Sequence, residues 1–318
     1  MFEQKKITYK MKLLSSLAKV FQDEEPVYQM ECQTLSALWG ETVSFQAAYT
    51  GDFFMRERLD VEVVSPLKDY IRVRTVEQVP VGRATNGIVD DNYLRTEPGL
   101  YPDLLRDVKD GKVIVCSNQW RSLWIDIEVT KDIAPGNYEI ELRLKKEGDV
   151  VTSAKQRLTV IGVELPKQKI MHTEWMHADC LADYYHVDVF SEEHWKILEN
   201  YFKEYVKRGC NMMLTPLFTS PLDTAVGLER TTTQLIKVEV VKGEYRFDFS
   251  KLKRWIDLCK KCGIEYYEMS HLFSQWGVQV CTESCGRSRR KRRKDLWMAY
   301  PGSWRIYQIP EGFSSTIN

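Results

Sequence analysis

Residues 122–149 read SLWIDIEVTKDIAPGNYEIELRLKKEGD, and this stretch decides the fold of the first half of the chain. Ile125, Ile127 and Val129 alternate with Trp124, Asp126 and Glu128. That period of two belongs to a strand with one face on a core. APGNY then supplies Pro and Gly for a chain reversal into a second alternating run at 139–144. Strand, Pro-Gly turn, strand at this spacing predicts an antiparallel β-sandwich.

Outward from there, ETVSFQAAYTG (41–51), RLDVEVVSPL (58–67) and DYIRVRTVEQVPVG (69–82) carry the same alternation between turn residues. LLSSLAKVF (13–21) is the one stretch here that reads as a short helix. ELPKQK (164–169) reads as a linker, after which the periodicity changes. KIMHTEWMHAD (169–179) begins as a strand and ends in polar and aromatic residues. SEEHWKILENYFKEYVKRG (191–209) is an amphipathic helix with Ser191 as N-cap and Trp195, Leu198, Phe202 and Val206 on one face. NMMLTPLF (211–218) is a strand, TTTQLIKVEVVKGEYRFDFS (231–250) an inserted hairpin turning at Lys242-Gly243, SKLKRWIDLCKKCG (250–263) a helix and IEYYEMSHLF (264–273) a third strand. Strand–helix–strand–helix–strand predicts the first part of a parallel (β/α)8 barrel. The expected organisation is a sandwich over 1–164, a partial barrel over 165–277 and a tail of different character over 278–318.

The chain has 318 residues, 45 basic and 45 acidic side chains, and a 43% hydrophobic composition. Zero formal charge speaks against a nucleic-acid binder. The N-terminal MFEQKKITYKMKLL has no uninterrupted apolar core of a signal peptide, and no segment approaches the ~20 apolar residues of a membrane span. A cytoplasmic protein without a membrane partner is the expectation, its oligomeric state open. The eight cysteines form no disulfide framework, and Cys259 and Cys262 lack a second pair at zinc spacing. Nine Trp and sixteen Tyr suit sugar stacking and β-rich cores alike.

Working groups of a (β/α) barrel sit at the C-terminal ends of its strands. That rule selects His172, Glu174, Trp175, His177 and Asp179 after the first strand. Thr215 and Phe218 follow the second, and Glu268, His271 and Trp276 the third. Together they suggest a polar pocket floored by rings, suited to a carbohydrate. His172, Glu174 and His177 lack a metal-binding geometry, so no metal or cofactor is expected. A glycosidase needs two carboxyl functions, or one carboxyl acid and a group that orients a participating substrate amide. Asp90-Asp91 falls in a sandwich loop and Glu192-Glu193 in a helix first turn, so neither adjacent pair fits.

HTEWMHADCLADYY, the block from FSEEHWKILEN to LERTTTQL, FDFSKLKRW and EYYEMSHLFSQWG together resemble the family-123 glycoside hydrolases. GLYPDLL and APGNYEIEL resemble that family's N-terminal domain, so the likeness spans roughly residues 11–277. The resemblance implies hydrolysis of β-linked N-acetylgalactosamine in a glycan, with retention and help from the substrate's 2-acetamido group. It also implies a neighbouring Asp-Glu pair on a later barrel strand, to which no residue is matched here. No catalytic residue is therefore assigned, and the chain is expected to be truncated and inactive. A non-catalytic carbohydrate-binding remnant is the alternative.

Past Gly277 the pattern breaks. Residues 278–318 hold two of the eight cysteines and the basic run GRSRRKRRK. A basic interaction tail is one reading. The other is translation out of frame. Trp297-Met298-Ala299 must be encoded TGG ATG GCN, which one nucleotide later reads Gly-Trp. A permitted re-reading from Gln279 contains no stop and ends in the helical GGFIKFLKAFLPQL.

Overall fold

The computed structural model describes residues 7–26, 34–52, 56–85, 87, 89, 92–220, 230–242, 244–270, 286–288 and 291–293. The chain divides into two compact units, Met1–Pro166 and Lys167–Asn318.

Among the described residues, ten strands build the first unit: β1 (Tyr9–Ser15), β2 (Thr34–Trp39), β3 (Thr42–Gly51), β4 (Glu57–Val64), β5 (Ile71–Val81), β6 (Gly99–Asp107), β7 (Lys112–Val115), β8 (Arg121–Glu128), β9 (Gly136–Lys146) and β10 (Asp149–Glu164). They form two five-stranded sheets, ordered β1-β3-β8-β5-β6 and β2-β10-β9-β4-β7. Phe45, Ile125 and Ile127 from one sheet and Leu59, Ile140, Leu142, Leu144 and Leu158 from the other fill a single core. Each such side chain contributes about 1.5–3 kcal/mol by leaving water. The alternation along β8 and β9 is thus the two inner faces of a sandwich.

Three features depart from the sequence reading. Residues 13–21 form no helix: Leu13, Leu14 and Ser15 finish β1, which pairs antiparallel with β3. The β8–β9 connection is a crossing between sheets rather than a hairpin. It is held where Gly40 N–H donates to the Val129 carbonyl (2.7 Å) and Val129 N–H to that of Glu41 (2.8 Å). Trp39 Nε1 donates to the Ile133 carbonyl at 2.8 Å. A Cβ at Gly162 would stand 2.6 Å from the Pro135 ring, so only glycine allows this loop to seat. Finally, the sandwich is not wholly antiparallel, since β2 pairs parallel with β10.

The second unit contains α1 (Ala178–Tyr185), α2 (Glu192–Lys207), β11 (Met212–Thr215), β12 (Lys237–Val241), β13 (Glu244–Asp248), α3 (Ser250–Cys262) and β14 (Tyr266–Met269). Ser191 caps α2, its Oγ accepting from His194 N–H. α3 has Phe249 as its N-cap residue, without a side-chain capping bond, and just ahead of it Asp248 Oδ1 accepts from Ser250 N–H at 2.9 Å. Gly263 ends that helix at φ +97°, a left-handed conformation glycine adopts without penalty. Trp255 is fully buried, with Phe202 edge-on at 5.0 Å and Trp195 at 6.4 Å. Cys259 is buried in the same core, and burial pushes its thiol pKa up. That places it in packing rather than redox chemistry.

β11 and β14 pair parallel, Met212 opposite Tyr266 and Thr215 opposite Met269. β12 and β13 form the expected hairpin, with Val241 opposite Glu244 and Lys242 at φ +55°. Gly243 lies outside the described residues. The expected strand at 169–179 is not one. Its backbone runs beside β11 without a ladder, the His172 carbonyl accepting from both Asn211 and Met212 N–H at 3.0 and 3.1 Å. Within the basic stretch, β15 (Gly286–Ser288) pairs parallel with β12 and antiparallel with β16 (Lys291–Arg293).

Candidate glycan site

The expected site residues fall into three places. His172 and Glu174 lie beside the first residues of β11, not at its C-terminal end. His172 N–H donates to Asn211 Oδ1 (2.8 Å) and its Nε2 stands 3.2 Å from Glu174 Oε1. Tyr205 of α2 staples this segment. Its hydroxyl accepts from Glu174 N–H at 2.8 Å and donates to the Met212 carbonyl at 2.6 Å. Burial raises the pKa of that phenol and, more than the nearby Glu174 charge, that of the Cys210 thiol.

Further along, Trp175 Nε1 donates to Glu268 Oε2 at 2.9 Å. One ring and one carboxylate named from distant parts of the sequence thus meet. Trp175 remains 48% exposed, which leaves ring surface for a ligand.

The third place is the C-terminal end of β11 and β14. Ser270 N–H donates to the Thr215 carbonyl at 2.9 Å, and Ser270 Oγ bridges to the Phe218 backbone. Leu235 and Ile236 N–H donate to the carbonyls of Pro216 and Leu217. Thr215, Thr219, Ser220, Thr233 and Ser270 are all buried. Asp179, in the first turn of α1, is buried here too, and Arg230 Nε donates to its Oδ2 at 2.7 Å. Thr231 Oγ1 donates to Asp183 Oδ1 at 2.9 Å, tying the same segment to α1. An ion pair with one partner buried and the other largely so adds little net stability once its desolvation is counted.

His177 is the N-cap residue of α1, without a side-chain capping bond. Sequence reasoning missed Arg230 and His194. His194 is buried, accepting at Nδ1 from Phe190 N–H (2.9 Å) and donating from Nε2 to the Ala178 carbonyl (3.0 Å). Burial lowers its pKa, so it stands neutral and locks α2 to the start of α1. Only the apolar face of 191–209 hinted at it; Arg230 gave no local signal beyond a lone cation ahead of a Thr run. His271 and Trp276, like the Asp90-Asp91 pair, lie outside the described residues. Asp23-Glu24, an adjacent pair the sequence reading passed over, lies in the sandwich with both carboxylates on Arg95. No cluster of three or more metal-ligating side chains occurs among the described residues. No described helix is long and apolar enough to cross a membrane.

Chemically, the β11/β14 end offers hydroxyls and a guanidinium–carboxylate pair as hydrogen-bonding groups. Asp179 is engaged by Arg230. Glu268 is a single carboxyl, where cleavage with two protein groups needs two across the scissile bond.

The profile described as "Glycoside hydrolase 123, catalytic domain" matches residues 175–305. A solved family-123 glycoside hydrolase from Clostridium perfringens, studied for glycolipid glycan hydrolysis, superposes with a TM-score of 0.69 at 17% identity. The alignment covers 93% of this chain and 53% of that one. This chain resembles the family-123 glycoside hydrolases. It spans about half the length of the solved family member, whose likeness carries the fold. The family-123 profile also runs past Gly277, where the resemblance read from sequence ended. A β-glucosidase from Listeria innocua matches 50% of this chain and 17% of its own at 10% identity, but its TM-score of 0.24 carries no argument. No curated protein sequence matches the chain.

Proposed function

We propose that the second unit is the opening portion of a family-123-type glycosidase barrel, and that it holds an N-acetylgalactosamine-containing glycan without cleaving it. The observation that carries this reading is the Asp179–Arg230 pair, with Asp179 buried and Arg230 partly so, among hydroxyls at the C-terminal ends of two parallel strands, where such barrels place their ligands. Trp175 and Glu268 supply the adjoining ring and acceptor. Thr215 lies buried at the end of β11, while His172 and Glu174 stand beside its first residues and His177 precedes α1. The sandwich of 1–164 precedes this part as a separate module, in a cytoplasmic protein that needs no cofactor. The retaining, acetamide-assisted chemistry of the family requires an Asp-Glu pair beyond these strands.

The changed character of 278–318 supports a frame change near Gly277, and the profile match through residue 305 weighs against it. The DNA around codons 277–279 decides between them. For the glycan reading, the test pairs turnover of 4-nitrophenyl N-acetyl-β-galactosaminide with binding of N-acetylgalactosamine followed by NMR. The expected result is binding without turnover, weakened in Glu268→Gln and in Asp179→Asn. Turnover by this chain overturns the non-catalytic part. Absence of binding overturns the whole reading.

A further inference from the structure

The sandwich carries a cleft that the proposed glycan site does not use. Lys19 after β1, Val79 of β5, Tyr93 and Leu94 ahead of β6 and Asp103 of β6 line an open hollow of about 560 Å³. A second hollow of about 440 Å³ lies between Gln22, Glu24, Glu97 and Leu100. Arg95 and Tyr101 line both, so the two hollows share one ridge. Each volume is in the range of small-molecule sites.

The ridge is rigid. The Arg95 guanidinium lies 3.7 Å over the Phe21 ring, and its edge holds Asp23 through two hydrogen bonds of 2.9 and 2.7 Å. A contact with Glu24 at 3.1 Å completes it. These hydrogen bonds from Arg95 hold the Asp23 carboxyl below the usual carboxylate range. Tyr101 meets Phe21 edge-on at 5.6 Å and donates to the Glu97 carbonyl at 2.7 Å. Phe21 itself is buried. Side chains already fixed in place cost a ligand little ordering entropy.

The lining selects the ligand. Two cations, Lys19 and Arg95, face four carboxylates, Asp23, Glu24, Glu97 and Asp103, so an anionic ligand meets net repulsion. A purely apolar ligand would strip water from those charges without replacing it. Tyr93 at 46% and Leu94 at 71% exposure nonetheless offer apolar surface to a ligand. A group that is apolar on one face and rich in hydroxyl donors at its edge satisfies both. We infer that this double cleft binds a neutral saccharide of at least two rings lying across the Arg95 ridge. The site is separate from the one at β11 and β14.

The test titrates the full chain with N,N′-diacetylchitobiose and with lactose by calorimetry, with 3′-sialyllactose as the anionic comparison. Tyr93→Ala and the near-isosteric Asp103→Asn are measured alongside, with thermal unfolding as the check on folding. The expected result is binding of at least one neutral disaccharide, weaker binding of the sialylated one, and a loss of about 3–10-fold in Tyr93→Ala, the value of one ring contact. Asp103→Asn keeps the melting temperature and lowers affinity. Overturning results are no disaccharide binding by the wild type, affinities unchanged in both variants, or preference for sialyllactose. Binding lost in Asp179→Asn but kept in Tyr93→Ala assigns the ligand to the second unit and overturns this inference alone.

Discussion

The two units build their cores from different materials. In the sandwich, stability is spread along ladders: β8 pairs with β3 and β5 on its two sides, and its Ile125 and Ile127 are two of many aliphatic contributors. In the second unit Phe190, Trp195 and Phe202 gather round Trp255, within a core that also buries aliphatics such as Leu198, Met213, Leu235 and Ile236, and the parallel ladder is only two strands of four residues each. Removing a large side chain on which several rings converge leaves a larger hole than removing one aliphatic of many.

The sharpest way to break this comparison is Trp255→Ala, which removes about 3–5 kcal/mol from the second unit. Limited proteolysis should then leave a resistant fragment ending near residue 166, while Ile125→Ala leaves the second unit's unfolding unchanged. Equal loss of both units in Trp255→Ala would refute independent cores. Tyr205→Phe has a smaller effect, about 1–2 kcal/mol, because a hydroxyl bridging Glu174 N–H and the Met212 carbonyl is lost while the ring stays. Faster amide hydrogen exchange at Glu174 is the readout.

The smallest effect is on pH. All five histidines lie in the second unit, and burial lowers the pKa of His194. Its folded form resists a proton that the unfolded chain accepts below the ordinary value of 6.5. Stability from this group is therefore complete above that value and declines as pH falls through it toward the folded pKa. Unfolding of the second unit should become easier from about pH 6.5 downward, and His194→Gln should flatten the slope.

The legible parts of the molecule were those with a local period. Ile125, Ile127 and Val129 announce their burial by spacing, and Trp195, Leu198 and Phe202 announce theirs by theirs. Chain partners far apart left no such trace. The parallel β2–β10 ladder and the 51-residue separation of Asp179 from Arg230 are set by tertiary packing. The stretch at 169–179 misled because its apolar opening resembles a strand, whereas its hydrogen bonds run to the head of β11. Of the site, the barrel rule named Trp175, Glu268 and Thr215 one by one, the contact between the first two emerges only in three dimensions, and Thr219, Ser220, Thr233 and Ser270 carried no local signal.

The β2–β10 pairing also sets a timetable. Thr34 to Trp39 find their partners only at 157–164, so a strand made early on the ribosome waits for the last strand of the unit. β1, by contrast, closes on β3 within about the first fifty residues. Contacts so distant in sequence slow folding. During synthesis, then, β2 is the segment of this sandwich in greatest need of shelter from wrong partners until residue 164 has left the exit tunnel.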